Sequence, residues 1–232
     1  MRALALHPDV LLATSAIWQT NCTIVRGSVE ERAETFLIDS PVLPDELDAL
    51  PTLFEQSGFP SPSGLLATHG DWDHLLGRLA FPGVALGCAQ STAERLSAAP
   101  GAAQRELREF DRRFYVERPR PLMLGQIQAL PVPGRCGIGE LELELHPADG
   151  HTADGMAVWI PWARVLVTGD YLSTIESPEV GENSSPEAYL TTLERLRPLV
   201  VSAEHVVPGH GPVLDSGRAL GILEEHVAVL TA

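Results

Sequence analysis

The stretch Thr68-His69-Gly70-Asp71-Trp72-Asp73-His74 fixes the reading of this chain. Four potential metal ligands, His69, Asp71, Asp73 and His74, fall within six residues, directly after the apolar run Leu65-Leu66-Ala67. Imidazole and carboxylate donors suit zinc, iron and manganese. Three more candidates stand in Gly-flanked turns: His151 in Asp149-Gly150-His151-Thr152, Asp170 in Thr168-Gly169-Asp170-Tyr171, and His210 in Pro208-Gly209-His210-Gly211-Pro212. Glycine beside a ligand lets the backbone turn sharply and come close to a metal. Loops at the ends of rigid strands are common mounts for catalytic groups. Any one of these residues alone reads as a turn or a surface histidine. Together, and in this order, they point to metal binding.

Outward from that stretch, hydrophobic spacing predicts the elements. Residues 10–26 read as strands with a turn near Gln19-Asn21, and Phe36–Asp39 as a short strand. Leu47, Leu50, Leu53 and Phe54 set a helix over Pro44–Gln56. Leu65–Thr68 is a strand running into His69, followed by a helix over His74–Leu79. Val84–Cys88 is a strand, Ser91 caps a short helix, and 102–116 is a charged amphipathic helix. Ile127–Val132, Leu141–His146, Met156–Ile160 and Arg164–Thr168 are strands. Pro186–Leu196, capped by Ser185, and Gly217–Leu230 are helices. Val200–Val207 fits a strand or a helix end. Strand blocks bracketed by helices imply helices covering a sheet core. The Pro-rich stretch Glu117–Pro121 is a candidate seam between halves.

The order H-x-D-x-D-H, then G-H-T, T-G-D and P-G-H-G, resembles the metallo-β-lactamase superfamily, whose pattern is H-x-H-x-D-H followed by His, Asp and His. The likeness extends from Gln19-Thr20-Asn21 and Leu37-Ile38-Asp39 to the closing P-G-H-G-P. It implies one domain over 1–232, an α/β fold in which two mixed β-sheets face each other between helices (an αββα sandwich). It also implies a metal site at one sheet edge. Carried over residue by residue, metal site one uses His69, Asp71 and His151, site two uses Asp73, His74 and His210, and Asp170 bridges both. Asp71 departs from the pattern, which has His there. A carboxylate oxygen and an Nδ1 are each two bonds from Cβ, so Asp71 reaches where an Nδ1-bound His would. A second carboxylate in site one lowers Lewis acidity and makes iron or manganese more competitive with zinc.

The resemblance implies two divalent ions, zinc first, sharing a hydroxide that attacks an ester, thioester or lactone of a small molecule. Asp73 and Asp170 hold the metals and the nucleophile, and Tyr171 donates to a developing oxyanion. The alternatives within the superfamily are a mononuclear-iron oxidoreductase of the persulfide dioxygenase kind and a β-lactamase-like amidohydrolase. Asp149 is a candidate to orient His151, and Trp72 to wall the substrate pocket. Segments Ile175–Ser184 and Glu117–Leu124 are candidate lids. His7, His146, His205 and His226 lack the Gly-flanked setting and read as surface or core residues.

Composition narrows the classes. The 232 residues carry 16 cations, all Arg, against 31 acids, a net charge of −15. Nucleic-acid binding needs a concentrated cationic surface, and none is encoded. Without Lys there is no Schiff base or P-loop. The three cysteines, Cys22, Cys88 and Cys136, are far apart, form no C-x-x-C and read as small apolar residues in a reducing compartment. No run is long enough to span a bilayer, and the apolar run before His7 is short for a signal segment. The expectation is a cytoplasmic enzyme with a small-molecule substrate and with neither a nucleic-acid nor a membrane partner.

Overall fold

Alternation along the strands sorts the apolar side chains into three layers. In strand β10 (Met156–Ile160), Met156, Val158 and Ile160 face one way while Ala157 and Trp159 face the other. Strand β11 (Val165–Gly169) repeats this, with Val165 and Val167 opposite Leu166. A strand buried on both faces must be covered by two different partners, and here they are a second sheet and a layer of helices.

The computed structural model describes residues 1–27, 33–181 and 183–232. A seven-stranded sheet runs in sequence order through β1 (Arg2–His7), β2 (Val10–Thr14), β3 (Asn21–Arg26), β4 (Thr35–Ile38), β5 (Gly64–Leu66), β6 (Leu86–Ala89) and β7 (Ile127–Leu130). Its β1–β4 pairs are antiparallel and its β4–β7 pairs parallel. The five-stranded sheet runs β12 (His205–Pro208), β11, β10, β9 (Leu141–Pro147) and β8 (Gly134–Ile138), with only β11 and β12 parallel. The fold is an α/β sandwich of two mixed sheets flanked by helices.

Each interface is apolar. Val10, Leu12, Val25, Ile38 and Leu66 meet Leu143, Leu145, Met156, Val158 and Val165 between the sheets. Helices α1 (Pro44–Gln56), α2 (Gly77–Ala80), α3 (Gln90–Ala98) and α4 (Ala102–Phe114) serve the larger sheet. There Leu47, Leu50, Phe54, Leu107 and Phe110 join Ile24, Leu37 and Leu65. Helices α5 (Pro186–Ser202) and α6 (Ser216–Thr231) cover the other sheet with Leu193, Leu196, Val200, Ile222 and Leu223. Burying each such Leu, Ile or Phe is worth about 1.5–3 kcal/mol.

Several expectations need correction. Strands β1 and β8 have no counterpart in the sequence reading: the apolar run Ala3–Leu6 is weighed there only as a signal segment, and Gly134–Ile138 intersperses Gly and Arg with its apolar residues. The helix expected over His74–Leu79 is a single tight turn, Trp72–His74, followed by the one-turn α2. Helix α3 starts at Gln90, so Ser91 is inside it rather than its cap. Ser185 does cap α5, its Oγ accepting from the Ala188 N–H at 3.1 Å. Helix α5 continues past Leu196 to Ser202, and the ambiguous Val200–Val207 divides into that helix end and β12. The chain changes sheets at 131–133, between β7 and β8, not at Glu117–Pro121. Among the described residues no helix is long and apolar enough to cross a membrane.

Candidate metal centre

Every candidate ligand lies just past the end of a strand, on the same edge of the sandwich. Strand β5 delivers the 69–74 turn, β9 leads into the His151 turn, β11 ends at Asp170, and β12 ends at His210. Asn21 ties the two sheets together there. Its side-chain amide donates to the carbonyls of Pro208 and Gly211 at 2.8 Å each, and its backbone N–H donates to Gly209 at 2.7 Å. Glu46 braces the β2–β3 loop by accepting from Ser15 Oγ (2.6 Å) and the Ala16 N–H (2.8 Å). That loop in turn places the Trp18 carbonyl 3.2 Å from His210 Nδ1.

Two glycines are required by the geometry. Gly150 has φ +138°, and a Cβ there would collide with the Tyr189 backbone of α5. A Cβ on Gly209 would run into Asp170 Oδ1. Larger residues at either place would push a ligand turn away from the centre.

Around the resulting hollow, His69 Nε2 lies 3.4 Å from Asp71 Oδ2 and 3.6 Å from Asp170 Oδ2. His151 Nε2 lies 3.6 and 3.4 Å from the same two oxygens. His210 Nε2 is 3.3 Å from Asp73 Oδ2 and 3.5 Å from Asp170 Oδ2. His74 Nε2 is 3.3 Å from Asp170 Oδ1 and 3.7 Å from Asp73 Oδ2. The structure thus brings all seven residues together. His69, Asp71 and His151 form one cluster whose donor atoms lie within 4.8 Å of each other, and Asp73, His74 and His210 form another. Asp170 stands between them. Both clusters can hold a metal ion.

The donor atoms are not otherwise employed. His69 Nε2, His74 Nε2, His151 Nε2 and Asp170 Oδ1 are buried without a hydrogen-bond partner. Buried polar atoms without partners are costly and rare, and converging imidazole and carboxylate atoms are a coordination set. The residues present therefore fit a metal.

Their other atoms are held from behind. Asp39, 3 % exposed, accepts from the Thr68 N–H (2.8 Å) and Thr68 Oγ1 (2.9 Å), and its Oδ2 lies 3.1 Å from His74 Nδ1. His151 Nδ1 is 3.1 Å from the Glu179 carbonyl. Asp149, expected to orient His151, instead accepts from Arg195 Nη1 at 3.1 Å. Tyr171 is 2 % exposed, and its hydroxyl accepts from the His151 N–H at 2.8 Å. It thus supports the His151 turn from behind and does not line the large cavity over the centre.

Charge is concentrated here. Burial pushes Asp71 upward, yet the neighbouring His69, His151 and Arg95 outweigh it and hold its carboxyl far below the usual range. Asp170 behaves likewise against His74 and His69. Burial disfavours a charged His210, but Asp170 and Asp73 raise its pKa to about 10. Carboxylates and imidazoles that shift each other this far mark an electrostatic site rather than a packed core.

A cavity of about 1010 Å³ opens over the first cluster, lined by Asp71, Arg95, Glu106, His151, Asp170, Ser173, Glu176, Ser177, Pro178 and Glu179, with His226 and Tyr189 among its other walls. The segment Ile175–Ser184 thus lines the cavity, residue 182 lying outside the described residues. Glu117–Leu124 does not: its arginines bind elsewhere, Arg118 to Asp111 and the Val42 carbonyl, and Arg120 to the Leu79 carbonyl. Trp72 stacks with Trp18 and Phe110 at 5.7 and 4.9 Å, beside a smaller aromatic hollow of about 500 Å³.

Five residues at this centre were not singled out individually in the sequence: Asp39, Arg95, Asp154, Glu176 and His226, although Glu176 falls within the candidate lid Ile175–Ser184 and Asp39 within the likeness. Asp39 ends a strand and Asp154 precedes a glycine, so both look like turn residues. Arg95 sits among polar helix positions. His226, read as a surface or core residue, is 5 % exposed and also borders the cavity.

The sequence profile of the Metallo-beta-lactamase superfamily matches residues 16–210, and the chain belongs to that superfamily. It is 30 % identical over 106 residues to the metallo-beta-lactamase type 2 of Bacillus cereus, covering 44 % of this chain and 40 % of that protein. The match thus spans well under two thirds of that relative's length. A metallo-beta-lactamase from Pontibacter korlensis superposes with a TM-score of 0.70 at 19 % identity, over 99 % of this chain and 98 % of its own. A stereoselective inverting sec-alkylsulfatase from a Pseudomonas species superposes with a TM-score of 0.74 at 15 % identity, over 99 % of this chain and 41 % of its own. At such identities the likeness is one of fold, and the fold alone carries several chemistries.

Proposed function

We propose that the protein is a dinuclear metal-dependent hydrolase that cleaves an ester, thioester or lactone bond of a small molecule. The observation that carries this reading is the convergence of four partnerless buried donor atoms, on His69, His74, His151 and Asp170, of which His151 and Asp170 also line a large cavity. Site one is His69, Asp71 and His151, and site two is Asp73, His74 and His210. Asp170 reaches both through its two oxygens. Zinc suits the imidazole-rich set. A bound pair would supply Lewis acidity and lower the pKa of a water molecule.

The chain's own residues do the rest. Asp73 and Asp170 offer carboxylate oxygens that accept hydrogen bonds and so orient a nucleophilic water. Tyr171 acts through His151, fixing the turn that carries it. None of the three thiols is poised as a nucleophile: Cys22 and Cys88 are buried, Cys136 lies on β8 away from the ligand turns, and burial pushes all three thiols up. The cavity is large enough for a small molecule. Among the described lining residues the one cation, Arg95, is already paired with Asp71 and Asp154, while Glu106, Glu176 and Glu179 are acidic.

A second reading, a mononuclear-iron oxidoreductase, is favoured by one observation. Asp71 brings a hard oxygen donor to within 3.4 Å of His69 Nε2, where iron or manganese gains on zinc. The deciding experiment is a hydrolysis panel of aryl esters, acyl thioesters, lactones and β-lactams on zinc-loaded protein, with oxygen uptake measured in parallel on iron-loaded protein. Turnover of an ester, thioester or lactone supports the hydrolase. Oxygen uptake without hydrolysis overturns it.

A further inference from the structure

We propose that Arg95 is a positioning residue that turns Asp71 into a ligand by holding one of its oxygens so that the other faces the metal. Arg95 projects from α3, outside every motif that carries the candidate ligands. Its Nη2 donates to Asp71 Oδ1 at 2.7 Å, while Asp71 Oδ2 faces His69 Nε2 at 3.4 Å and His151 Nε2 at 3.6 Å. The two carboxylate oxygens are thereby assigned different work.

The same guanidinium reaches a second anchor. Arg95 Nη1 donates to Asp154 Oδ1 at 2.8 Å, and Asp154 Oδ2 accepts from the Gly70 N–H at 3.0 Å. One planar fork therefore joins α3, the His69–Asp71 turn and the loop that follows His151. An isolated exposed ion pair would be worth little. This one is anchored on an Asp154 side chain only 2 % exposed, and the fixed fork of Arg suits two carboxylates at once. Gly70 fits beneath it, since a Cβ there would come within 3.2 Å of Asp154 Oδ2 and 3.3 Å of Arg95 Nη1.

Asp71 and Asp170 together give site one two carboxylates beside two imidazoles. Arg95, shared between Asp71 and Asp154, touches this set from outside and orients it without entering it. The inference rests on the assignment of Asp71 to site one and is independent of the substrate chosen above.

The test is zinc titration of the full-length, chelator-stripped protein against a competing chromophoric chelator. Cobalt absorption spectra follow the geometry of site one. In Arg95→Met one zinc should weaken by about 10–100-fold, the usual loss for an outer partner, while the other keeps its affinity. Arg95→Lys should recover part of the loss, because an ammonium cannot fork to both carboxylates. In an Asp71→His background the same Arg95→Met change should cost about twofold or less, the scatter of uncoupled sites. Should Arg95→Met not fold, Arg95→Gln should show a loss in the same direction. Unchanged zinc affinity in a folded Arg95 variant overturns the proposal. So does an equal loss with His at position 71, which would mean that Arg95 acts through Asp154 alone. Two tightly bound zincs with no hydrolysis would overturn the functional reading while leaving Arg95 in its role.

Discussion

The two halves of the metal centre are built differently. Site two, Asp73, His74 and His210, is closed: all three residues are buried, and His74 is backed by the buried Asp39. Site one faces the cavity, with the Asp71 side chain 30 % exposed and His151 13 %. Its supports are a backbone carbonyl of the cavity-lining segment, at Glu179, and the side chain of Arg95. A closed site resists loss of metal, whereas an open one admits substrate and can be tuned. On the proposed function, the buried half would retain its metal and the exposed half would meet the substrate.

That contrast can be broken in graded ways. The largest effect is expected from Asp170→Ala, because Asp170 turns carboxylate oxygens toward histidines of both halves. Metal content should fall at both sites, and activity should drop by more than the roughly 10–100-fold typical of losing an outer partner. Full metal content with normal turnover would remove Asp170 from the bridging position. Next, Asp39→Ala should weaken site two by about 10–100-fold and site one by less, because Asp39 faces His74 directly and reaches His69 only through Thr68. Differential zinc titration reads this directly, and equal weakening of both sites would erase the distinction between them.

A pH series sharpens the comparison. Metal must displace protons from the imidazoles it binds. His210 stands at about 10 in the folded chain against an ordinary 6.5, raised by Asp170 and Asp73 over the opposing effect of burial. A folded-state pKa raised above the unfolded one adds stability that is complete below pH 6.5 and is lost as pH climbs toward 10. Chelator-stripped protein should therefore lose stability across that window, and zinc should restore it with rising affinity. Melting temperatures with and without zinc at pH 6, 8 and 10 test it. A metal-free protein that gains stability on the alkaline side would contradict the coupling.

Asp71→His should act more mildly, shifting site one toward zinc over iron and manganese without emptying site two. Metal competition followed by elemental analysis measures this. The smallest effect is expected from Asp149→Ala. Its partner Arg195 lies on α5 and its side chain is 49 % exposed, so metal content should not change and stability should move by less than about 1 kcal/mol.

Ligands of both halves were legible in the sequence, and what separated the legible from the hidden was local pattern. The 69–74 turn was legible because its ligands are contiguous and follow an apolar strand. His151, Asp170 and His210 were legible through their flanking glycines, and two of those glycines prove sterically necessary. Helix α1 was legible to the residue because Pro44 opens it and its apolar face repeats every three or four positions. What remained hidden depends on tertiary proximity. Arg95 meets Asp71 across 24 residues and Asp154 across 59, a relation that no local pattern encodes. Asp149 looked like the partner of His151 only because it is near in sequence. The His151 ring is instead met by a carbonyl 28 residues away. Tyr171 stands beside Asp170 in sequence, but its ring packs against Tyr189 at 4.5 Å inside the core.

The central expectation is that seven side chains from two sheets hold a metal pair. The most direct measurement is elemental analysis of the protein purified without added metal, and again after reconstitution with zinc. About two zincs per chain are expected, with one lost first on mild chelation from the exposed half. No bound metal under either condition would contradict the centre itself.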